Sequence, residues 1–307
     1  MIDPRTPQPA RRYNYWLGGK DHFAADRVSG DTIAAAFPGV RIGAVENRKF
    51  LHRAVRYLAA TAGIRQLLDI GVGLPLPPNT HEIAQDIAPD SRVVYVDNDP
   101  IVMAHARALL TSHPSGATAY VHADLREPAT ILHHPDLHNT IDMAQPIGLL
   151  LVAVLHFLDD HDATHAVAEL LGALAPGSYV VISHGTADFW SPDTAAQIPK
   201  LQQDHEARYR PRTREQIIEY VTGLDLVDPD PAASRAAAPT AVSVVQWRPD
   251  RDDKQRPQDE DVACYGVVAR LAEQPPRPGP VPAGFATAET SSCRSGPQRS
   301  HTSLPPQ

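Results

Sequence analysis

The sequence predicts an α/β fold: a mainly parallel sheet with crossover helices, behind an N-terminal helical cap. Two observations predict it. From Gln66 onward, short apolar runs of strand length alternate with segments of helical period. That order builds βαβ units and a parallel sheet. Before that point no strand texture occurs. Residues 46–59 instead place Phe50, Leu51, Ala54, Val55 and Leu58 on one helical face.

The elements follow in order. The cap covers residues 1–62, and Gly63 supplies its C-terminal stop. Strands are predicted at 66–70, 92–96, 118–121, 147–153 and 178–183, with helices at 80–87, 100–110 and 163–174. Asn79 with Glu82 three residues later forms a capping box, and Asp99 before Pro100 is an N-cap with proline at the first helical position. A helix at 213–222 and strands at 242–248 and 264–269 complete the body, which spans 63–271. Residues 228–239 and 250–261 read as connections. Residues 272–307 turn to Pro, Gly, Ser and Thr and read as a disordered tail.

Composition narrows the function. The net charge of −8 argues against a dedicated nucleic-acid partner. The charge is uneven, because residues 1–65 hold eleven Lys/Arg against five Asp/Glu, a net of +6, and the remainder carries −14. A basic segment of this kind suits an anionic ligand or an acidic body. Two cysteines, Cys264 and Cys293, build neither a disulfide framework nor a zinc site, and a cytoplasmic location fits. No apolar leader opens the chain, and no run reaches the ~20 residues of a membrane span.

Three strand ends carry the chemistry. The first is Leu67-Leu68-Asp69-Ile70-Gly71-Val72-Gly73-Leu74-Pro75, a buried strand ending in Asp-x-Gly-x-Gly. Glycine lets the backbone approach a ligand closely. The second is Val93-Val94-Tyr95-Val96-Asp97-Asn98-Asp99-Pro100, with Asp97 placed 24 residues after Gly73. An acid there accepts hydrogen bonds from both ribose hydroxyls. The third is Tyr120-Val121-His122-Ala123-Asp124-Leu125-Arg126, where Asp124 stands ready for an adenine amino group. Three such strand ends describe a nucleoside-binding crevice at the carboxyl edge of a Rossmann-like sheet.

These motifs resemble the class I S-adenosylmethionine-dependent methyltransferases. So do Leu155-His156-Phe157-Leu158-Asp159 after the fourth strand and the segment from Leu174 to Ser183 around the fifth. The resemblance implies a seven-stranded sheet with an antiparallel last strand. A narrower likeness runs from about Arg11 to Leu271. It rests on Ala10-Arg11-Arg12-Tyr13-Asn14-Tyr15-Trp16-Leu17-Gly18-Gly19-Lys20-Asp21-His22-Phe23, on Glu46-Asn47-Arg48-Lys49-Phe50-Leu51, and on Asn79-Thr80-His81-Glu82. Trp247-Arg248-Pro249-Asp250 adds to it. Together they resemble an actinobacterial S-adenosyl methyltransferase family, formerly a domain of unknown function. The departure is Pro75, where many methyltransferases carry a third glycine.

The resemblance implies S-adenosylmethionine as cofactor and a methyltransferase acting on an unidentified small-molecule acceptor. Its implied cofactor residues are Asp69, Gly71, Gly73, Asp97, Asn98, Asp124 and Leu125. Lys20 or Arg48 would meet the cofactor carboxylate, and Tyr13 would contribute a hydroxyl. With Trp16 and the Gly18-Gly19 pair, they make the N-terminal segment a lid over the crevice. His156 is the candidate base, weighed against a histidine that only packs at the strand end. His161 and His165 lie four apart on a helix with no third metal ligand at suitable spacing, so no metal is expected. Ser183-His184 lacks the Gly-x-Ser-x-Gly elbow of a hydrolase. Two alternatives stay open: a non-catalytic regulator that kept the cofactor pocket, and an NAD-type oxidoreductase. The latter wants a glycine three residues after Gly73, where Leu76 stands.

The tail generates a prediction. Truncation after Ala272 leaves the melting temperature and cofactor affinity unchanged, because its composition buries too little apolar surface to offset chain entropy. Thermal denaturation and calorimetric titration of the two forms check this.

Overall fold

The structure is a computed structural model that describes residues 3–197, 209–231, 239–249 and 255–272. The predicted tail, residues 272–307, lies outside the described residues from residue 273 onward, as does part of the connection predicted at 228–239. Three helices open the chain: α1 (Pro9–Trp16), α2 (Ala24–Ala36) and α3 (Val40–Arg56), the last running into a π turn at Tyr57–Thr61. Then come β1 (Gln66–Ile70), α4 (Thr80–Ile87), β2 (Arg92–Asp97), α5 (Pro100–Leu109) and β3 (Ala117–His122). Next are α6 (Pro128–Leu132), α7 (Pro135–Thr140), β4 (Gly148–Val152), a 3-10 turn at Leu155–Phe157, α8 (Asp160–Ala173) and β5 (Tyr179–Gly185). The last part holds α9 (Pro192–Ala195), α10 (Arg214–Glu219), β6 (Asp225–Leu226), β7 (Val242–Ser243), α11 (Asp259–Val262) and β8 (Cys264–Arg270).

The sheet runs β3-β2-β1-β4-β5-β8-β6, with β7 also paired to β8. Strands β1 to β5 are parallel and β8 is antiparallel to β5. The expected antiparallel last strand is therefore present. The expected count of seven becomes eight because the edge is split. β6 pairs at Ala269 and Arg270, and β7 pairs at Tyr265 and Gly266 of the same strand. The strand expected over 242–248 shrinks to Val242–Ser243. Arg53 is the physical reason: its Nε donates to the Trp247 carbonyl (2.9 Å) and its Nη2 to that of Val244 (2.5 Å). Those carbonyls are satisfied in a turn rather than in a ladder. Val244, Val245 and Trp247 are buried there, with Trp247 edge-on to Phe50. The apolar run that reads as a strand is thus a buried turn.

Local chemistry sets the helix ends. The Asn79 N–H donates to Glu82 Oε2 (2.5 Å) at the start of α4, and the Ile101 N–H donates to Asp99 Oδ1 (2.8 Å) at the start of α5. The sheet's two faces alternate as a pleat requires. Leu68, Ile70, Val94, Leu149, Leu151, Val180 and Ile182 meet Ala163, Ala166, Val167 and Leu170 of α8. Leu67, Val93, Leu150, Val181 and Val268 meet Phe50, Leu51, Ala54, Val55 and Leu58 of α3. The cap is therefore no appendage. Its third helix supplies one side of the core, and all three helices share one compact unit with the sheet.

A buried polar knot fixes the ends of β4 and β5. The Arg212 guanidinium donates to the Leu155 and Leu158 carbonyls (3.0 and 3.1 Å), to Asp160 Oδ1 (2.8 Å) and to His184 Nε2 (2.8 Å). His184 Nδ1 then donates to the Gly185 carbonyl (2.8 Å). Burial pushes His184 down to about 4, and it pushes His156, buried nearby, well below the usual histidine range.

This yields a pH prediction. The unfolded chain binds protons at these two histidines near pH 6.5, and the folded chain refuses them. Stability is full above that pH and falls as pH drops toward 4, by up to about 1.4 kcal/mol per pH unit for each group. Asp69, which burial raises to about 6, acts in the opposite sense and offsets part of the loss. Denaturant titrations at pH 7 and 4.5 should show the fall. His184→Gln keeps an acceptor for Arg212 but cannot titrate, and it should flatten the dependence.

Candidate functional site

After β1 the sheet grows one way through β2 and β3, then the other through β4 and β5. This reversal opens a crevice beyond the carboxyl ends of β1 and β4, where open α/β sheets bind ligands. A cavity of about 1080 Å³ fills it. Its floor is the turn after β1, the Asp97–Asp99 corner after β2, the Ala123–Arg126 corner after β3 and the end of β4. Its roof comes from α1, α2 and α3.

The glycine turn is shaped by contact on both sides. Gly71 and Gly73 have φ of 76° and 66°, the left-handed region. A Cβ on Gly71 would stand 2.5 Å from Val154 Cγ2, so the end of β4 packs against bare backbone. A Cβ on Gly73 would meet Ala10 of α1 at an ordinary van der Waals distance of 4.0 Å. Helix α1 thus passes close over the turn.

The three strand-end acids occupy distinct states. Asp69 is buried under the turn, accepts from the Thr80 hydroxyl (2.6 Å), and is pushed up to about 6 by burial. Asp97 is 8% exposed and accepts from the N–H groups of Gly73 and Asp99, both at 2.9 Å. Burial raises its pKa, and those two N–H groups hold it down. A carboxylate has about four acceptor sites, so these N–H groups leave room for a ligand. The fork of Arg126 holds Asp124 well below the usual carboxylate range, at 2.6 and 3.0 Å, and Asn98 donates to it at 3.0 Å. Leu125 is buried beside it on the cavity wall.

The roof residues divide. Arg48 lines the cavity. Its Nη2 donates to the carbonyls of Leu76 and Pro78, and its buried Nε has no partner among the described residues. Tyr13 lines the cavity with its ring. Its hydroxyl donates to the Ala44 carbonyl and accepts from Asn47 Nδ2, both at 3.0 Å, so it ties α1 to α3. Lys20 is exposed and lies outside the cavity lining, because the chain turns away at Gly18 (φ 79°) just after α1. The structure brings Arg48, not Lys20, to the crevice.

His156 lies on the cavity wall, packed against Phe157, His184 and Tyr209. Its imidazole is neutral at pH 7, pushed down by burial. Nδ1 faces the N–H of Gly185 at 3.4 Å. That contact assigns the proton to Nε2, so this histidine presents a donor rather than a base. His161 and His165 lie on α8 with rings 6.3 Å apart. Among the described residues, Asp159, His161 and Asp162 bring ligand-type atoms within 4.8 Å of one another. Asp159 accepts the Asp162 N–H (2.9 Å) as the N-cap of α8, which accounts for its position.

Several functional residues escape sequence reasoning. Asn47 accepts from the Ser183 hydroxyl (2.5 Å) and so joins α3 to β5. Phe37 and Trp190 lie with ring centroids 3.8 Å apart, tilted by 35°, on the cavity wall. Arg12 lines the cavity while 4% exposed. Arg12 and Asn47 stand within the motifs quoted above but without an assigned role, and Phe37 and Trp190 lie outside them.

Comparison with known proteins agrees with this architecture. The model of the family described as S-adenosyl methyltransferase matches residues 1–272. The crystal structure of a DUF574 family protein from Streptomyces avermitilis is similar. It shares 43% identity over 88% of this chain and 99% of its own, with a TM-score of 0.81. A putative methyltransferase from Thermobifida fusca shares 38% identity over 87% of this chain and 96% of its own, with a TM-score of 0.77. None of the curated proteins matches. The extent of these matches and the strand-end geometry lead to one conclusion: the chain belongs to the S-adenosyl methyltransferase family.

Proposed function

We propose that this methyltransferase holds S-adenosylmethionine on the strand-end acids and methylates a small molecule bound beside it under the α1–α3 roof. One observation carries the reading: a single cavity joins the glycine turn, three ligand-suited corners and the roof. Ligand pockets measure roughly 300–1,000 Å³, so a cavity of about 1080 Å³ has room for cofactor and acceptor together.

The residues fit the cofactor. Asp97 has acceptor sites left for ribose hydroxyls. Asp124, Asn98 and Leu125 form the corner for adenine, and Arg48 has a buried unpartnered N–H for a carboxylate. Gly71 and Gly73 present bare backbone along the cavity floor. When bound, S-adenosylmethionine supplies a sulfonium methyl as electrophile. The protein's own contribution is placement and exclusion of water. Neutral His156 offers a donor to orient the acceptor and takes no proton from it. The acceptor is a small molecule because the site lies beneath three helices, and nucleic acid is disfavoured by the net charge of −8. No helix among the described residues is long and apolar enough to cross a membrane. Two cysteines without a framework favour the cytoplasm. The family assignment and Leu76 at the third-glycine position leave the oxidoreductase alternative without support, and nothing favours a non-catalytic regulator.

Asp97→Asn tests the placement. The variant keeps one acceptor oxygen but loses the paired carboxylate, worth about 1.5–3 kcal/mol for hydrogen bonds to a charged group. Affinity for S-adenosylhomocysteine should fall about 10- to 100-fold by calorimetry, with the melting temperature nearly unchanged. Unaltered affinity in a folded variant would remove Asp97 from the ribose site. Heat with NAD and none with either sulfur nucleoside would remove the cofactor reading itself.

A further inference from the structure

The buried charges of α1 and α2 do not balance. Asp26 is fully buried, and its carboxylate accepts from Arg11 Nε (2.9 and 3.1 Å) and from the N–H groups of Gln8 (2.9 Å) and Phe23 (2.7 Å). Arg11 is itself buried and also donates to the Thr6 carbonyl. That carboxylate is therefore taken. Arg12, equally buried, has one hydrogen bond among the described residues, to Ser29 Oγ at 3.5 Å. Asp26 favours its charge and Arg11 opposes it, and neither outweighs burial. Burial pulls its pKa down to about 10, so it stays charged at neutral pH. A largely buried guanidinium held by one long hydrogen bond is costly to leave without a further partner. This one lines the cavity.

The wall beyond it has a shape. Ser29, Ile33 and Phe37 follow at intervals of four, so one face of α2 leads away from the Arg12 guanidinium. Ile33 and Phe37 line the cavity, and Phe37 ends the wall packed against Trp190. Eight residues of helix span about 12 Å. A cation thus stands at one end of an apolar strip and an aromatic pair at the other.

We propose that Arg12 recognises an acid group on the methyl acceptor, a carboxylate carried by a flat apolar body that lies along Ile33 toward Phe37 and Trp190. The proposal rests on the reading that cofactor and acceptor share this cavity. Arg48, at the glycine turn, is the cation left for the cofactor's own carboxylate. A guanidinium fork matches a carboxylate in two parallel hydrogen bonds, which an amide cannot reproduce.

Titration calorimetry on the full chain tests this with biphenyl-4-carboxylate and its neutral carboxamide, both added to protein saturated with S-adenosylhomocysteine. The acid should bind about tenfold or more tightly than the amide, as a charge-assisted pair predicts. Arg12→Gln should erase that preference, keep S-adenosylhomocysteine affinity within about twofold, and melt no lower than the wild type, since it removes an uncompensated buried charge. Arg12→Lys should keep part of the preference. Equal binding of acid and amide by the wild type, or no binding of the acid, overturns the proposal. So does a preference that survives in Arg12→Gln, or a large loss of melting temperature, which marks a structural role. If Arg12→Gln weakens S-adenosylhomocysteine but not 5′-methylthioadenosine, which lacks the carboxylate, Arg12 serves the cofactor and the acceptor assignment falls. A wild type that binds no S-adenosylhomocysteine overturns the cofactor reading, and this proposal with it.

Discussion

One chain of buried hydrogen bonds sets the relation between roof and floor. The Ser183 hydroxyl on β5 donates to Asn47 Oδ1, Asn47 Nδ2 donates to the Tyr13 hydroxyl, and Tyr13 donates to the Ala44 carbonyl. Ser183 also accepts the N–H of Ala153, the residue after β4. Four elements are thereby placed relative to one another by polar groups that burial forbids to be left unpaired. Apolar packing of α3 on the sheet supplies most of the attraction but tolerates sliding. The hydrogen bonds do not, because each needs its partner within about 3 Å. The height of the roof above Gly73, and so the space for ligands, follows from them.

The electrostatics of the site repeat this two-layer plan. Carboxylates stand on the floor at Asp69, Asp97, Asp99 and Asp124, and guanidinium groups stand in the roof at Arg12 and Arg48. The sequence shows the same division as +6 in its first 65 residues against −14 in the rest. Opposite layers of charge with a gap between them attract each other across it. A ligand that carries hydroxyl donors toward the floor and an anion toward the roof satisfies both. Asp124 and Arg126 are paired with each other, whereas Arg12 and the Nε of Arg48 lack strong partners among the described residues. The deficit therefore lies in the roof.

How much of this the sequence reveals depends on whether the signal is local. Strands β1, β2, β4 and β5 are legible because both faces are covered, leaving continuous apolar runs, whereas β3 is a half-buried edge strand. The starts of α4 and α5 are legible because Asn79, Glu82 and Asp99 act on their own neighbours. The 242–248 segment misleads because a buried turn and a buried strand share one apolar texture, and the residue that decides between them, Arg53, lies 191 positions before Val244. β6 is two residues long and gives no period to read. Among the site residues, Asp69, Gly71, Gly73, Asp97 and Asp124 announce themselves by following strands. The roof cations do not. Lys20, Arg11, Arg12 and Arg48 look alike as charges. Which is paired, which is exposed and which faces the cavity depends on Asp26, fifteen residues after Arg11, and on the turn at Gly18.

The same burial that hides these roles also limits the chemistry. Around the end of β5, His156, Tyr209 and Cys264 on the cavity wall are held in their neutral forms. Burial lowers His156, raises the Tyr209 hydroxyl far above its usual range, and raises the Cys264 thiol to about 12. None of the three is poised to remove a proton near neutral pH, where a working base is most effective. A wall of this kind suits an acceptor atom that is already nucleophilic as it arrives, with a free lone pair or an anion. Such an atom needs alignment with the sulfonium carbon and the absence of competing water. Both are properties of a rigid roof over an apolar pocket, and effective molarities of about 10⁵–10⁸ M show how far alignment alone can carry a rate. The Tyr13–Asn47–Ser183 tie and the packing of α3 hold that geometry.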